Sequence, residues 1–360
     1  MGPTTFGKPM GRRPTKLQTK ERRVVDLTPQ TKTYDPIALL TQSDEILYMV
    51  TCVFSPSQFK SRYNRYNQFA AYIATFPNVR LYTVELTIKD QPFTVTDPNN
   101  PFHLQLRAFH PLWYKENILN ILIKSLPPEA KKIAVVDGDV QWDEDDWAEK
   151  TLRALDEYPV VQMLATWQNL DENDKPTMPA ARGFAQRYVK GTQKEGDNGF
   201  TGLAWAWRRD ELEQLGGLID VGILGSGDYF MANALIGKNR SDAGVIDVVA
   251  EPDLQHFVVH LDEALAPWIA KAEKVIKRNI GYVDLHIRHF FHGKKSDRGY
   301  NWRYRILVKY DFRAKRNLRY NEHGIIMLIG MPDPFYVDVQ GYFDSRNEDN
   351  PHNKDKPIVL

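Results

Sequence analysis

The sequence predicts an α/β fold with a parallel, doubly wound sheet, read from the order of its apolar runs, while composition and cysteine count bound core size and compartment. Apolar runs of strand length at 45–54, 79–86 and 131–139 alternate with two helical stretches, the βαβ pattern. The 360 residues are 42% hydrophobic and 12% aromatic, which supports a large core as one big domain or two smaller ones. One cysteine, Cys52, excludes an intrachain disulfide and any cysteine-based zinc site, and fits a reducing compartment.

The elements follow in order. Residues 1–36 show no periodicity, and Lys8, Arg12, Arg13, Lys16, Lys20, Arg22, Arg23 and Lys32 face only Glu21, Asp26 and Asp35. That predicts a basic, poorly ordered arm over 1–40. "EILYMVTCVF" (45–54) reads as a buried strand. Phe59, Tyr63, Tyr66, Phe69, Ile73 and Phe76 then recur at three- and four-residue steps, an amphipathic helix. A strand over 79–86, a Pro/Asn-rich loop over 90–103, a helix over 112–126 and a strand over 131–139 complete the first half.

The second half is more mixed. A strand is expected over 160–167, a long polar excursion over 171–198, and a strand over 199–207. Two helices follow, "RDELEQLG" and one after the glycine turn in "GSGDYFMANALIG". A further helix, "DEALAPWIAKAEKVIKRNIG", carries an internal proline. The N-terminus lacks a signal peptide's apolar core, and the longest apolar run, 325–331, is too short to span a bilayer. The expectation is a soluble, cytoplasmic protein with no membrane partner.

Four motifs are candidates for chemistry. In "VVDGDVQW" (135–142), Asp137 and Asp139 flank Gly138 at the end of an apolar strand. If extended, both carboxylates face one point at the strand's carboxyl end, where open α/β sheets bind ligands. They read either as hard donors for Mn²⁺ or Mg²⁺ or as turn chemistry. The next acidic run, Asp143–Asp146, reads as a helix cap. Asp228, just after Gly225 and Gly227, reads either as an N-cap or as a carboxylate that takes a proton from an acceptor hydroxyl. His286, His289 and His292 lie among Arg288, Lys294, Lys295, Arg298, Arg303 and Arg305. Residues 271–320 hold fifteen Lys/Arg against four Asp/Glu, which suits a polyphosphate or nucleic acid.

Taken together, the order of these pieces over about 45–310 resembles a GT-A-type glycosyltransferase of the galactosyltransferase-like, metal-dependent, DxD-containing kind. "SRYNRYNQF", with Arg62 and Arg65, is similar to the arginine-bearing helix after the first nucleotide-binding strand. "WYKENILN", with Lys115 and Asn120, resembles the helix that contacts base and ribose. "TGLAWAWRRDELEQLGGL" resembles the acceptor segment, and "GSGD" stands where a glycine turn and catalytic carboxylate follow, with Gly-Asp in place of the more usual Glu-Asp. The resemblance implies a Rossmann-like, doubly wound mixed sheet with flanking helices over 41–310 and a C-terminal extension over 311–360 packed on it.

It also implies a function. Asp137, Asp139 and His292 would hold Mn²⁺ or Mg²⁺ against the diphosphate of a nucleotide sugar, a UDP-sugar foremost, with His289 the rival third ligand. Asp228 would be the base of an inverting transfer, beside Gly227. Trp205 and Trp207 either stack on a sugar or pack in a core strand. Glu85 either recognises the base or is a solvated strand end. The acceptor is open: hydroxylated bases in DNA, a polyanion that the basic segments could hold, or a glycan. The rival classes are a nucleotidyltransferase-like enzyme and an inactive sugar- or nucleic-acid-binding module. The first usually shows a glycine-rich loop where this chain has "FSPSQFKSRY".

Overall fold

The computed structural model describes residues 45–194, 198–238, 252–300 and 302–349, so the basic arm of 1–40 lies outside the described residues. The elements are β1 (Leu47–Phe54), α1 (Lys60–Ile73), β2 (Val79–Ile88), β3 (His103–Ala108), α2 (Lys115–Ser125), β4 (Lys132–Val136), β5 (Val140–Trp142) and α3 (Trp147–Glu157). Then come β6 (Val160–Gln162), β7 (Thr166–Asn169), β8 (Ala181–Arg182), α4 (Phe184–Val189), β9 (Ala204–Arg208), α5 (Arg209–Leu215), α6 (Gly227–Leu235) and α7 (Pro252–Val275). The remainder is β10 (Ile280–Tyr282), β11 (His286–His289), α8 (Tyr304–Lys309), α9 (Ala314–Asn317), β12 (Leu318–Tyr320), β13 (Ile326–Leu328) and α10 (Asp333–Ser345).

Seven strands form the main sheet in the order β10-β6-β9-β4-β1-β2-β3. All neighbouring pairs are parallel except those of β9, which runs antiparallel between β4 and β6. The sheet is therefore mixed and doubly wound. Its period-two alternation buries both faces. Ala204 and Ala206 of β9 point to the side covered by α1 and α3, while Trp205 and Trp207 point to the side covered by α2, α5, α6 and α7. Phe335, Val339, Tyr342 and Phe343 of α10 join that second cluster. Among the described residues no helix is long and apolar enough to cross a membrane.

Several local expectations change. β3 is a strand where only the end of a loop was expected; it is an edge strand of mixed polarity, so it shows no clean alternation. The apolar run 160–167 breaks, because Met163–Ala165 cross from the main sheet to a second sheet ordered β5-β11-β7-β8. β4 ends at Val136, and Gly138 and Asp139 form a turn rather than extended strand. The acidic run gives no side-chain cap to α3. Asp146 pairs with Lys150 at 2.8 Å, Asp143 pairs with Arg288 at 2.6 Å, and Glu144 accepts the backbone N–H of His286.

A candidate active site at the carboxyl end of the sheet

A cleft of about 590 Å³ opens at the carboxyl ends of β1 and β4. Asp137, Gly138 and Asp139 line it together with Lys115, Asp228, His289 and His292. Backbone pairing explains this convergence. β11 pairs antiparallel with β5, which sets His289 opposite Val140. Phe290 N–H then donates to the carbonyl of Asp139 at 2.9 Å, and the chain turns so that His292 returns to the same carboxylate.

His292 Nδ1 lies 2.9 Å from Asp139 Oδ2, and His289 Nε2 lies 3.7 Å from Asp139 Oδ1. The ligand atoms of these three residues all fall within 4.8 Å of one another. His289 Nδ1 is 2.7 Å from Asn169 Oδ1, an acceptor, so the ring proton sits there and Nε2 presents a lone pair. It faces Asp139 Oδ1, which is buried and has no hydrogen-bond partner among the described residues. Two facing acceptors are unfavourable until a cation sits between them, and this donor set fits a divalent metal. Burial lowers the His289 imidazole to about 3 against the pull of Asp139, which keeps it neutral, as a ligand must be. Burial works to raise Asp139, but His292 foremost, with Arg62, opposes it, and the carboxyl is held below its usual range.

The structure does not bring Asp137 into that cluster. Its carboxylate is paired with Lys115 at the start of α2, and burial raises it above its usual value despite the lysine. A Cβ added at Gly138 would meet nothing closer than 3.6 Å, so the protein itself does not demand glycine there.

Asp228 lines the same cleft. Gly225 and Ser226, at φ 97° and 72°, make a left-handed turn into α6, so Ser226 is the N-cap and Asp228 is not. Thr201 Oγ1 lies 3.4 Å from Asp228 Oδ2. Gly227 does not line the cleft but makes room beside it, because a Cβ there would stand 2.4 Å from the Glu116 carboxylate. Glu116 is itself a buried cleft residue, pushed up to about 8 by burial, with Lys115 opposing and Asp228 reinforcing the shift.

The other expected contacts divide. Arg62 lines the cleft, but its Nε and Nη2 are bound by Glu348 at 2.6 and 2.7 Å. Arg65 does not reach the cleft; it lies over the Phe290 ring and bonds Gln68 and Asp174. Glu85 is neither solvated nor in the cleft: it is 1% exposed and accepts three backbone N–H groups from Thr94, Val95 and Thr96. Asn120 braces Leu218 through both its N–H and its carbonyl. Trp205 is core, donating to the carbonyl of Thr201 at 2.7 Å, and Trp207 is fully buried. Residues the sequence did not single out also line the cleft: Trp113, Glu116, Trp167, Phe200, Thr201 and Arg346. Trp167 and Phe200 stack at 3.9 Å. Only Glu116, next to Lys115, carried a local signal.

No protein-family model and no curated protein matches the chain. Solved structures give slight likenesses. S. aureus TarS 1–349 with UDP-GlcNAc matches at 10% identity over 65% of this chain and 72% of that one, with a TM-score of 0.36. The catalytic domain of Drosophila β1,4-galactosyltransferase 7 with xylobiose matches at 11% identity over 55% of this chain, with a TM-score of 0.30. The match spans 62% of that domain, less than two thirds of it. 4-Diphosphocytidyl-2C-methyl-D-erythritol synthase from Anaerococcus prevotii matches at 9% identity over 48% of this chain and 75% of that one, with a TM-score of 0.26. Likenesses this slight carry no argument about function, which has to come from the site's own geometry.

Proposed function

We propose that the chain is a metal-dependent, GT-A-type glycosyltransferase that moves a sugar from a nucleoside diphosphate sugar to an acceptor hydroxyl. The observation that carries this reading is Asp139 Oδ1, buried and without a donor among the described residues, facing the lone pair of His289, with His292 on the other oxygen. The same cleft holds Asp228 and a run of cations. A divalent cation bound by Asp139, His289 and His292 would stabilise the negative charge that builds on the departing diphosphate. Two imidazoles in the donor set favour Mn²⁺ over Mg²⁺.

The chain's own groups do the rest. Lys294, Lys295 and Arg298 follow His292 along one wall and hold the phosphates. The Trp167–Phe200 stack offers an apolar face to a sugar ring. Asp228 accepts the proton of the acceptor hydroxyl, which attacks the anomeric carbon from the face opposite the leaving group and inverts it. The acceptor reads as a small molecule or glycan end entering the cleft rather than duplex DNA. What speaks against DNA is that Arg278, Arg288, Lys309, Arg313 and Arg316 are engaged in ion pairs, while other cations of 271–320 turn into the cleft. The single cysteine makes the cytoplasm the favoured compartment.

The test is a donor screen. The protein is incubated with Mn²⁺ and each nucleotide sugar in turn, and released nucleoside diphosphate is measured. One donor should give Mn²⁺-dependent release. No release with any donor overturns the reading.

A further inference from the structure

Near Asp228 the cleft holds a buried cation that has no counter-ion among the described residues. Arg303 precedes α8 and is 3% exposed. It donates from Nη2 to Ser226 Oγ at 2.5 Å and from Nη1 to the Tyr342 hydroxyl at 3.3 Å. Its Nε is buried and has no partner among the described residues. The rings of Tyr300 and Tyr304 stand 4.9 and 5.2 Å from its Cζ. Hydroxyls and ring faces surround this guanidinium, and among the described residues no carboxylate pairs with it.

Arg346 does not change the balance. It is also 3% exposed, donates to the same Tyr342 hydroxyl at 3.1 Å, and pairs with Glu348 at 2.6 Å. Glu348 is already shared with Arg62. Of the cleft arginines Arg62, Arg303 and Arg346, two thus share the Glu348 carboxylate, and it does not reach Arg303 among the described residues. Burial works to raise the Tyr342 phenol, yet the charges and hydrogen bonds of Arg303 and Arg346 hold it below its ordinary value.

Position separates Arg303 from the cations that follow His292. Its Nη1 stands 3.2 Å from where a Cβ on Gly225 would lie. It grips Ser226, two residues before Asp228. A buried ion without a partner is strongly unfavourable, and a guanidinium fork relieves that by taking a phosphate or carboxylate in a bidentate grip.

We propose that Arg303, with Arg346 behind it and Tyr300 and Tyr304 beside it, seats an anionic group carried by the acceptor. This rests on the glycosyltransferase reading and narrows the acceptor to a hydroxylated molecule bearing a phosphate or carboxylate near the reacting hydroxyl. The same grip on the donor's own diphosphate is the competing source, and the experiment separates the two.

Sulfate serves as the probe, because manganese phosphate is insoluble. The full chain with Mn²⁺ is titrated calorimetrically with sulfate, alone and with a saturating nucleoside diphosphate chosen by thermal shift from a panel. Sulfate should bind in both cases. Arg303→Met should weaken it at least about tenfold, with Arg303→Lys between, while nucleoside diphosphate affinity changes less than about twofold. Competition between sulfate and the nucleoside diphosphate would return Arg303 to the donor and overturn the proposal. So would wild-type protein that binds no sulfate, or an Arg303→Met variant that binds it as wild type does. If Arg303→Met does not fold, the two wild-type titrations still decide. If no nucleoside diphosphate binds, the glycosyltransferase reading fails and the acceptor assignment with it, whatever sulfate does.

Discussion

Replacing Glu348 by glutamine perturbs the clamp that joins α1 to the segment after α10. The carboxylate is buried, takes two hydrogen bonds from Arg62 and one from Arg346, and keeps almost the same shape as an amide. Burial works to raise it, but Arg62 and Arg346 outweigh that and lower it from 4.5 to about 2. A shift of that size corresponds to about 3 kcal/mol of stability at neutral pH, on the order expected for breaking a buried ion pair from one side. Because the folded carboxyl titrates below its unfolded value of 4.5, its contribution is complete above that value and is lost as pH falls through about 2. Urea denaturation of wild type and Glu348→Gln at pH 7 should therefore differ by about 3 kcal/mol, and at pH 3 by less than about half as much. In a thermal melt the pH 7 difference is about 5 °C for an unfolding entropy of about 2.1 cal/mol/K per residue over roughly 300 residues. Equal stability at pH 7, or a gap of the same size at pH 3, would refute the reasoning.

Three more outcomes follow from the site. Asp139→Ala, His289→Ala and His292→Ala should each weaken Mn²⁺ binding at least about tenfold by calorimetry, while Asp145→Ala leaves it unchanged; a His289→Ala protein with wild-type affinity would remove that imidazole from the ligand set. Asp228→Asn should lower kcat by about 10²–10⁴ with donor KM held, and an unchanged kcat would move the base elsewhere. Glu85→Gln should destabilise the fold by about 2 kcal/mol, measured by urea denaturation, without weakening donor binding. Weaker donor binding there would restore a role in base recognition.

The strands β1, β2 and β4 were legible as apolar runs of strand length, and α1 because its apolar residues recur at three- and four-residue steps. The place of Asp139 and Asp228 on the cleft wall was legible because glycine and carboxylate stand together at element ends. Arg62, Glu85 and Asn120 had suitable chemistry, yet other parts of the chain engage them: Glu348 binds Arg62 across 286 residues, and Leu218 occupies Asn120 across 98. Such pairings leave no local trace. The choice between His289 and His292 was hidden for a related reason. "HIRHFFH" is neither a helix nor a plain loop but a strand that ends in a turn, so both rings return to one carboxylate.

The reversed direction of β9 has a consequence for how such a molecule could diversify. Because β9 runs against β4, the residues that enter it, 200–203, arrive beside the carboxyl end of β4, and Asp137 N–H donates to the carbonyl of Leu203 at 2.8 Å. The long excursion before β9 thus delivers its last residues straight to the wall beside Asp228, while the sheet, α2 and the Asp139 cluster are built from other segments. Lengthening of the exposed parts of that excursion would reshape what meets the base and leave the opposite wall alone. Phe184, Ala185 and Tyr188 of α4 within the excursion are core, so insertions that spare folding belong at its exposed stretches, 173–177 and 190–191, and library design aimed at altered specificity would begin there.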